Sequence, residues 1–422
     1  MHVPSSSCPE LQPETNPNML SPPSSPLPLP TSYLKIDINN PSKNVDGTPK
    51  NQDVLFAFFE MSPVDGALWK DLIPHSIDVK KRLFLGQGNH ANVYKGCAPL
   101  KEAISSISLY PKDLRNSKTT NDTLDGNTSD NIEKLAVKVF HREDPNALFI
   151  ALRELYFQSE FFKSSPSLGL KAFGVLIVYK NFMFFITRTD NVNASYLSTD
   201  DIRYSQVVLL IELGENGSLA NVPKKVITSD FILKTGHQLS SMLVSLFELN
   251  FIHGDIKPHN LFPFFSNHGG LQVKLGDFSS TIRLSTLHSP VLMDSCGTQA
   301  YLAPDLLLSA VPSIEAIKGG DAYAIGVTLW SLITGCSPFG GITSSVPRLI
   351  AIKRGFFECG QNPWKLSLSN SSCLLLPSGE TVPAEISCAL ISIIEGLLQG
   401  DASKRISPQD LLYSFQKLLN CS

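Results

Sequence analysis

From His253 to Leu261 the chain reads His-Gly-Asp-Ile-Lys-Pro-His-Asn-Leu, so a lysine follows Asp255 by two residues and an asparagine by five. Phosphoryl transfer requires a carboxylate to accept or orient a hydroxyl, a cation beside the moving phosphoryl group, and oxygen ligands for a divalent metal. Asp255, Lys257 and Asn260 offer those three chemistries within one loop. Seventeen residues beyond Asn260, Asp277 closes an apolar run in Leu275-Gly276-Asp277-Phe278-Ser279 and offers a second metal ligand. A strand-ending aspartate alone makes only a turn. Asp277 therefore draws its meaning from its partners.

Upstream, Gly86-Gln87-Gly88-Asn89-His90-Ala91-Asn92-Val93 sits between two strand-like segments. Glycines let backbone approach phosphate oxygens closely, which is why nucleotide loops favour them. Lys138 lies on an alternating apolar strand, and Glu154 on the helix that follows, within pairing reach of it. Taken singly, each has an ordinary reading as a hairpin turn, a strand-edge lysine and a solvated helix face.

These residues need a scaffold that brings both halves of the chain to one place. Strand patterns cover Arg82–Leu85, Ala91–Tyr94, Leu135–Phe140, Ala172–Tyr179, Phe182–Thr187 and Val207–Leu213, with one helix near Ala147–Phe162. Beyond Gly217 the spacing turns helical, with helices expected at Phe231–Leu249, Asp321–Thr334, Ala384–Leu398 and Pro408–Leu419. A strand-rich half followed by a helix-rich half predicts an α+β fold of two lobes around a cleft. The first 53 residues are rich in Pro, Ser and Asn and are expected to be disordered. Residues 54–78 form an extension in which Phe56, Phe58, Phe59, Leu68 and Trp69 suggest a short helix. The polar stretch 105–130 is expected to be a long surface loop between strands.

The 422 residues are 42% hydrophobic, enough for a sizeable core, and the net charge of -3 excludes a strongly basic nucleic-acid binder. Eight cysteines are scattered without a CxxC pair, as expected of reduced thiols in cytoplasm or nucleus. No signal-peptide pattern or membrane-length apolar run is present, so no membrane association is expected.

The order and spacing of these elements resemble the protein kinase superfamily from about Leu83 to Leu419. The resemblance implies a bilobal fold over 79–420, with a β-rich N-lobe at 79–213 and a helical C-lobe at 214–420. It also implies ATP and Mg2+. Leu85, Gly86, Gly88, Val93 and Ala136 would surround the nucleotide, Lys138 would hold its phosphates, and Glu154 would fix that lysine. Ile211 would be the gatekeeper and Glu212 to Gly214 the adenine-binding hinge. Asp255 would be the catalytic base, assisted by Lys257, and Asn260 and Asp277 would bind magnesium. Gly297 to Asp305 looks like the end of the activation segment, Asp321 resembles the aspartate supporting the catalytic loop, and Arg405 matches the partner of Asp305. Lys257 with Thr298 is the pairing of serine/threonine kinases, so the implied substrate is a protein hydroxyl of that class.

Four positions depart from the family pattern: Ala91 and Ser279 replace glycines, Asp305 replaces glutamate, and Gly254 replaces arginine. The missing arginine would bind a phosphorylated activation-loop residue, so weak dependence on that phosphorylation is expected. His259 stands where kinases of basic peptides often carry glutamate, which gives no support to an arginine-directed consensus. His-Gly-Asp-Ile-Lys, Asp-Phe-Ser-Ser and the Ser/Pro-rich head together resemble a small group of divergent fungal kinases that includes the inhibitor-of-staurosporine-resistance kinase. In the head, Leu20-Ser21-Pro22-Pro23-Ser24-Ser25-Pro26 is similar to a doubly phosphorylated degron read by an F-box ubiquitin ligase. Two other readings stay open: a pseudokinase scaffold, and a small-molecule kinase of the aminoglycoside or choline type.

Overall fold

The computed structural model describes residues 32–37, 56–63, 83–88, 90–98, 133–179, 182–188, 196–197, 206–266, 270–284, 297–307, 309, 312–342, 344–353, 366 and 373–421. Its N-terminal half is built on nine strands: β1 Ser32–Asp37, β2 Phe56–Pro63, β3 Phe84–Gln87, β4 Ala91–Ala98, β5 Glu133–Phe140, β6 Ala172–Tyr179, β7 Phe182–Arg188, β8 Tyr196–Leu197 and β9 Gln206–Glu212. They form one sheet in the order β3-β4-β5-β9-β6-β7-β2-β1-β8. Every described pairing is antiparallel except β1 with β8.

The interior strand β9 is Gln-Val-Val-Leu-Leu-Ile-Glu, apolar on both faces, as a strand covered on both sides must be. Period-2 alternation sends Val207, Leu209 and Ile211 to one core and Val208 and Leu210 to the other. The first of these cores also receives Leu148, Leu152 and Leu155 of helix α1, Ala147–Ser164. That helix faces the sheet and carries Glu154 at its centre.

The C-terminal half holds α2 Ser229–Glu248, β10 Phe251–Ile252, β11 Leu261–Phe265, β12 Leu271–Leu275, β13 Ile282–Arg283, α3 Pro304–Leu307, α4 Ile314–Thr334, α5 Ser345–Lys353, α6 Ala384–Leu397 and α7 Pro408–Cys421. Helix α2 starts where Thr228 Oγ1 accepts the Phe231 N–H at 3.2 Å. Its packing on α7 depends on a missing side chain: a Cβ at Gly236 would stand 2.1 Å from the Phe415 ring. The β11–β12 hairpin and the antiparallel β10–β13 pair that encloses it in sequence carry the loops of interest. The α+β fold expected from the sequence is therefore the one found.

Three expectations need correction. Phe56–Pro63 is a strand, where the sequence suggested a short helix; an apolar, aromatic run this short satisfies either period. Ser32–Asp37, placed in the disordered head, pairs with it as β1, so the sheet begins well before residue 79. The remainder of 1–53, the stretch 105–130 and residues 64–78 lie outside the described residues. Finally, Asp321 does not open its helix. Ser313 caps α4 by accepting the Ala316 N–H at 3.1 Å, and Gly319-Gly320, which punctuates the sequence pattern, lies inside the helix.

Candidate active site

Two clusters of charge meet where Lys138 of the sheet reaches Asp277, in the stretch between β12 and β13. In the first, Lys138 Nζ on β5 donates to Glu154 Oε1 and Oε2 at 2.9 and 2.8 Å and to Asp277 Oδ1 at 2.9 Å. Glu154 has no exposed surface. Burial opposes the Lys138 charge, but the two carboxylates outweigh it and hold the ammonium above the usual lysine range. Burial likewise opposes the Asp277 charge, yet Lys138, the Ser279 hydroxyl and Lys257 hold its carboxyl well below the ordinary value. Glu154 goes the other way: burial pushes it up to about 7, against the pull of Lys138.

The second cluster surrounds Asp255, in the turn after β10. Thr298 donates to its Oδ1 through both N–H and Oγ1, each at 2.8 Å, while Lys257 Nζ and Asn260 Nδ2 reach its Oδ2 at 2.6 and 3.1 Å. Lys257 Nζ also lies 2.6 Å from Thr298 Oγ1, and Asn260 Nδ2 donates to the Asp255 carbonyl at 2.8 Å. The loop is held from below by Asp321 on α4, whose Oδ2 and Oδ1 accept the His253 and Gly254 N–H groups at 2.7 and 2.9 Å. Burial pushes the Asp321 carboxyl up and the His253 ring down, so His253 is a neutral, wholly buried part of this support. Burial, helped by Lys257, also lowers His259 and favours its neutral form.

The predicted nucleotide residues of the sheet fall on four adjacent strands, β3, β4, β5 and β9. Leu85, Gly86 and Gly88 lie in the β3–β4 hairpin, closed by Gly88 N donating to Ala91 O at 2.8 Å. Register places Val93 opposite Lys138 and Ala136 opposite Ile211. A Cβ at Gly86 would meet nothing within 4 Å, so protein packing does not demand glycine there; a ligand's close approach would. Glu212 is tied by Lys274 Nζ at 2.6 Å and by the Lys171 N–H at 3.0 Å. Gly214 is dictated by packing, because a Cβ would stand 2.7 Å from Phe262.

The departures now have geometry. Gly254 has φ +80°, and a Cβ there would meet Ser280 O at 3.1 Å, so an arginine would be strained in this backbone. Asp305 still reaches Arg405 Nη2 at 2.8 Å despite its shorter stem. Ser279 donates its hydroxyl to Asp277 Oδ1 at 2.8 Å. Arg153, beside Glu154 on α1, donates to the Ser279 carbonyl at 3.3 Å and to the Thr281 carbonyl. Sequence reasoning gave Arg153 and His253 no role, since backbone acceptors and buried supports leave no residue-type signature. Residues 285–296 of the segment before Gly297 lie outside the described residues. No group of three metal-ligating side chains of the His, Cys, Asp or Glu kind occurs among the described residues, and none of their helices is long and apolar enough to cross a membrane.

The protein kinase domain family model matches residues 187–415. Serine/threonine-protein kinase DCLK1 of Rattus norvegicus is 30% identical over 141 residues, 32% of this chain and 30% of that protein. Serine/threonine-protein kinase CG17528 of Drosophila melanogaster is 27% identical over 176 residues, 41% of this chain and 20% of that one. SNF-related serine/threonine-protein kinase of Rattus norvegicus is 26% identical over 211 residues, 49% and 24% of the two chains. The chain thus spans less than a third of the length of these relatives. The family match begins after Lys138 and Glu154, so it is the geometry of β5 and α1 that joins them to the rest.

Proposed function

The chain belongs to the protein kinase family, and on that premise we propose that it is an active serine/threonine kinase, transferring the γ-phosphate of ATP to protein hydroxyls. The observation that carries this reading is the simultaneous engagement of Lys138 with Glu154 and Asp277, beside a fully hydrogen-bonded Asp255. A phosphoryl-transferring site uses all of that arrangement at once, which supports the enzyme over a scaffold.

The residues suit ATP and Mg2+. Lys138, held charged, would hold the phosphates, and the open space at Gly86 leaves room for their close approach. Asn260 uses its amide N–H groups on Asp255, which leaves its carbonyl oxygen for a cation, and Asp277 Oδ2 is the second hard oxygen. Bound Mg2+ would neutralise charge on the phosphoryl oxygens. Asp255 orients the substrate hydroxyl and takes its proton, while Lys257, bridging Asp255 and Thr298, offers a cation to the transferred group. The Asp305–Arg405 pair and the Lys257–Thr298 contact build the side of the cleft where a peptide docks, which supports a protein over a small-molecule acceptor.

Three finer elements complete the reading. Gly254 in place of arginine makes activity largely independent of activation-loop phosphorylation. Ser21 and Ser25, outside the described residues, form a phosphorylated motif bound by an F-box ubiquitin ligase. The protein works in the cytoplasm or nucleus as a signalling kinase of the divergent fungal type. The core of the proposal is tested with purified full-length chain, labelled ATP, Mg2+ and generic protein substrates. Transfer to serine or threonine should fall at least about a hundredfold in Asp255→Ala. No transfer by the unaltered chain, with Mg2+-dependent ATP binding intact, would replace the enzyme by a scaffold.

A further inference from the structure

Asp277 adopts a left-handed backbone (φ 59°, ψ 70°), which a non-glycine residue holds only when its surroundings fix it. Two bonds fix its side chain. Lys138 Nζ and Ser279 Oγ both donate to Oδ1, at 2.9 and 2.8 Å, from opposite ends of the site. With both donors on one oxygen, the carboxylate has a defined rotation and Oδ2 is the oxygen turned away from them.

Each donor is in turn anchored to helix α1, and by neighbouring residues. Lys138 is gripped by Glu154. Ser279 is gripped through its carbonyl by Arg153, whose guanidinium also takes the carbonyl of wholly buried Thr281. Thr281 closes the short turn by donating its N–H to Phe278 O at 3.1 Å. Arg153 and Glu154 thus reach one carboxylate by two routes, one through a lysine and one through the backbone and hydroxyl of Ser279. A glycine at 279 would keep the carbonyl route and lose the hydroxyl.

We infer that Ser279, clamped by Arg153, is a positioning residue that sets the Asp277 carboxylate for the divalent cation. The inference rests on the kinase reading and adds a device to it. A carboxylate already turned to its cation loses less rotational freedom on binding, so less free Mg2+ is needed to fill the site. Arginine suits the clamp because its planar fork can take two carbonyls at once, which a lysine ammonium does less well.

The test reads binding and not only turnover. The full chain is titrated with a non-hydrolysable ATP analogue across a range of Mg2+ concentrations, and with the analogue in chelator. In Ser279→Ala the Mg2+ concentration for half-maximal binding should rise about tenfold to a hundredfold, the loss expected for one hydrogen bond to a charged group. Metal-free affinity should stay within about twofold of the unaltered chain, since the phosphate contacts of Lys138 remain. Ser279→Thr, which keeps the hydroxyl, should restore the original Mg2+ requirement, and Arg153→Lys should shift it in the direction of Ser279→Ala. An unchanged Mg2+ requirement in Ser279→Ala would overturn the inference alone. Equal losses with and without metal would also overturn it, by showing a merely structural role. An unaltered chain that binds no nucleotide at any Mg2+ concentration would overturn both this inference and the kinase reading.

Discussion

At the scale of single residues, the site is a set of charges that stabilise one another at the expense of solvation. Glu154 shows this most sharply, because burial has pushed it up to about 7 even with Lys138 against it. Removing the lysine, as in Lys138→Met, leaves a buried carboxylate with no cation, a change that typically costs about 3–5 kcal/mol. The sign of its pH dependence follows. A carboxyl whose folded value lies above its unfolded value contributes stability at low pH and loses it as pH rises through the folded value. Relative to the unaltered chain, Lys138→Met should therefore gain melting temperature as pH falls from about 8 to 6. Parallel pH profiles for the two proteins would show that Glu154 is not the group responsible. Such couplings were only half legible in the residue order. The types and spacing of Asp255, Lys257, Asn260 and Asp277 announced their chemistry, whereas the second donor on Asp277 and the acceptors of Arg153 belong to backbone that only the fold brings near.

At the scale of elements, helix α1 and the segment after Asp277 form one mechanical unit. Besides the Arg153 clamp, Arg283 on β13 donates to the Tyr156 hydroxyl at 3.0 Å and stacks on Phe251. Phe278 packs on Phe161 of the same helix and on His253. These contacts tie α1 to the segment after Asp277 through protein groups alone, which is the structural companion of Gly254. Phosphatase treatment should consequently leave transfer within about twofold of the untreated rate, where a switched kinase would lose a factor of tens or more. Abolition by phosphatase, with recovery on phosphorylation within 279–296, would sink the idea. The element boundaries themselves explain where the sequence misled. Helix α4 was foreshortened because two adjacent glycines imitate a break, and their real role is close packing: a Cβ at Gly319 would press on Arg405 at 2.9 Å and one at Gly320 on Leu306 at 2.9 Å. Strand β2 was mistaken for a helix because one of its two partners, β7, lies far along the chain and no local pattern records it.

At the scale of the whole molecule, the N-terminal head is not simply an appendage. Its Ser21 and Ser25 precede β1 by 11 and 7 residues, so the proposed degron lies close in sequence to a strand of the sheet. Replacing both serines by alanine should lengthen the protein's half-life in cells at least about twofold, measured after synthesis is blocked, because the paired phosphates that arginines recognise are lost. An unchanged half-life would discard the motif. The two-lobed architecture was legible from the shift in periodicity near Gly217, but the four strands beyond β6 were not foreseen as one sheet edge. That edge also has a history in time. A chain made from its N-terminus delivers Pro63, at the end of β2, 119 positions before Phe182 opens β7. At about 5–20 residues per second, β1 and β2 wait roughly 6–24 seconds for the strand that receives them. A two-stranded hairpin is marginal by itself in water, so β1 and β2 find their place only once the middle of the chain has been made.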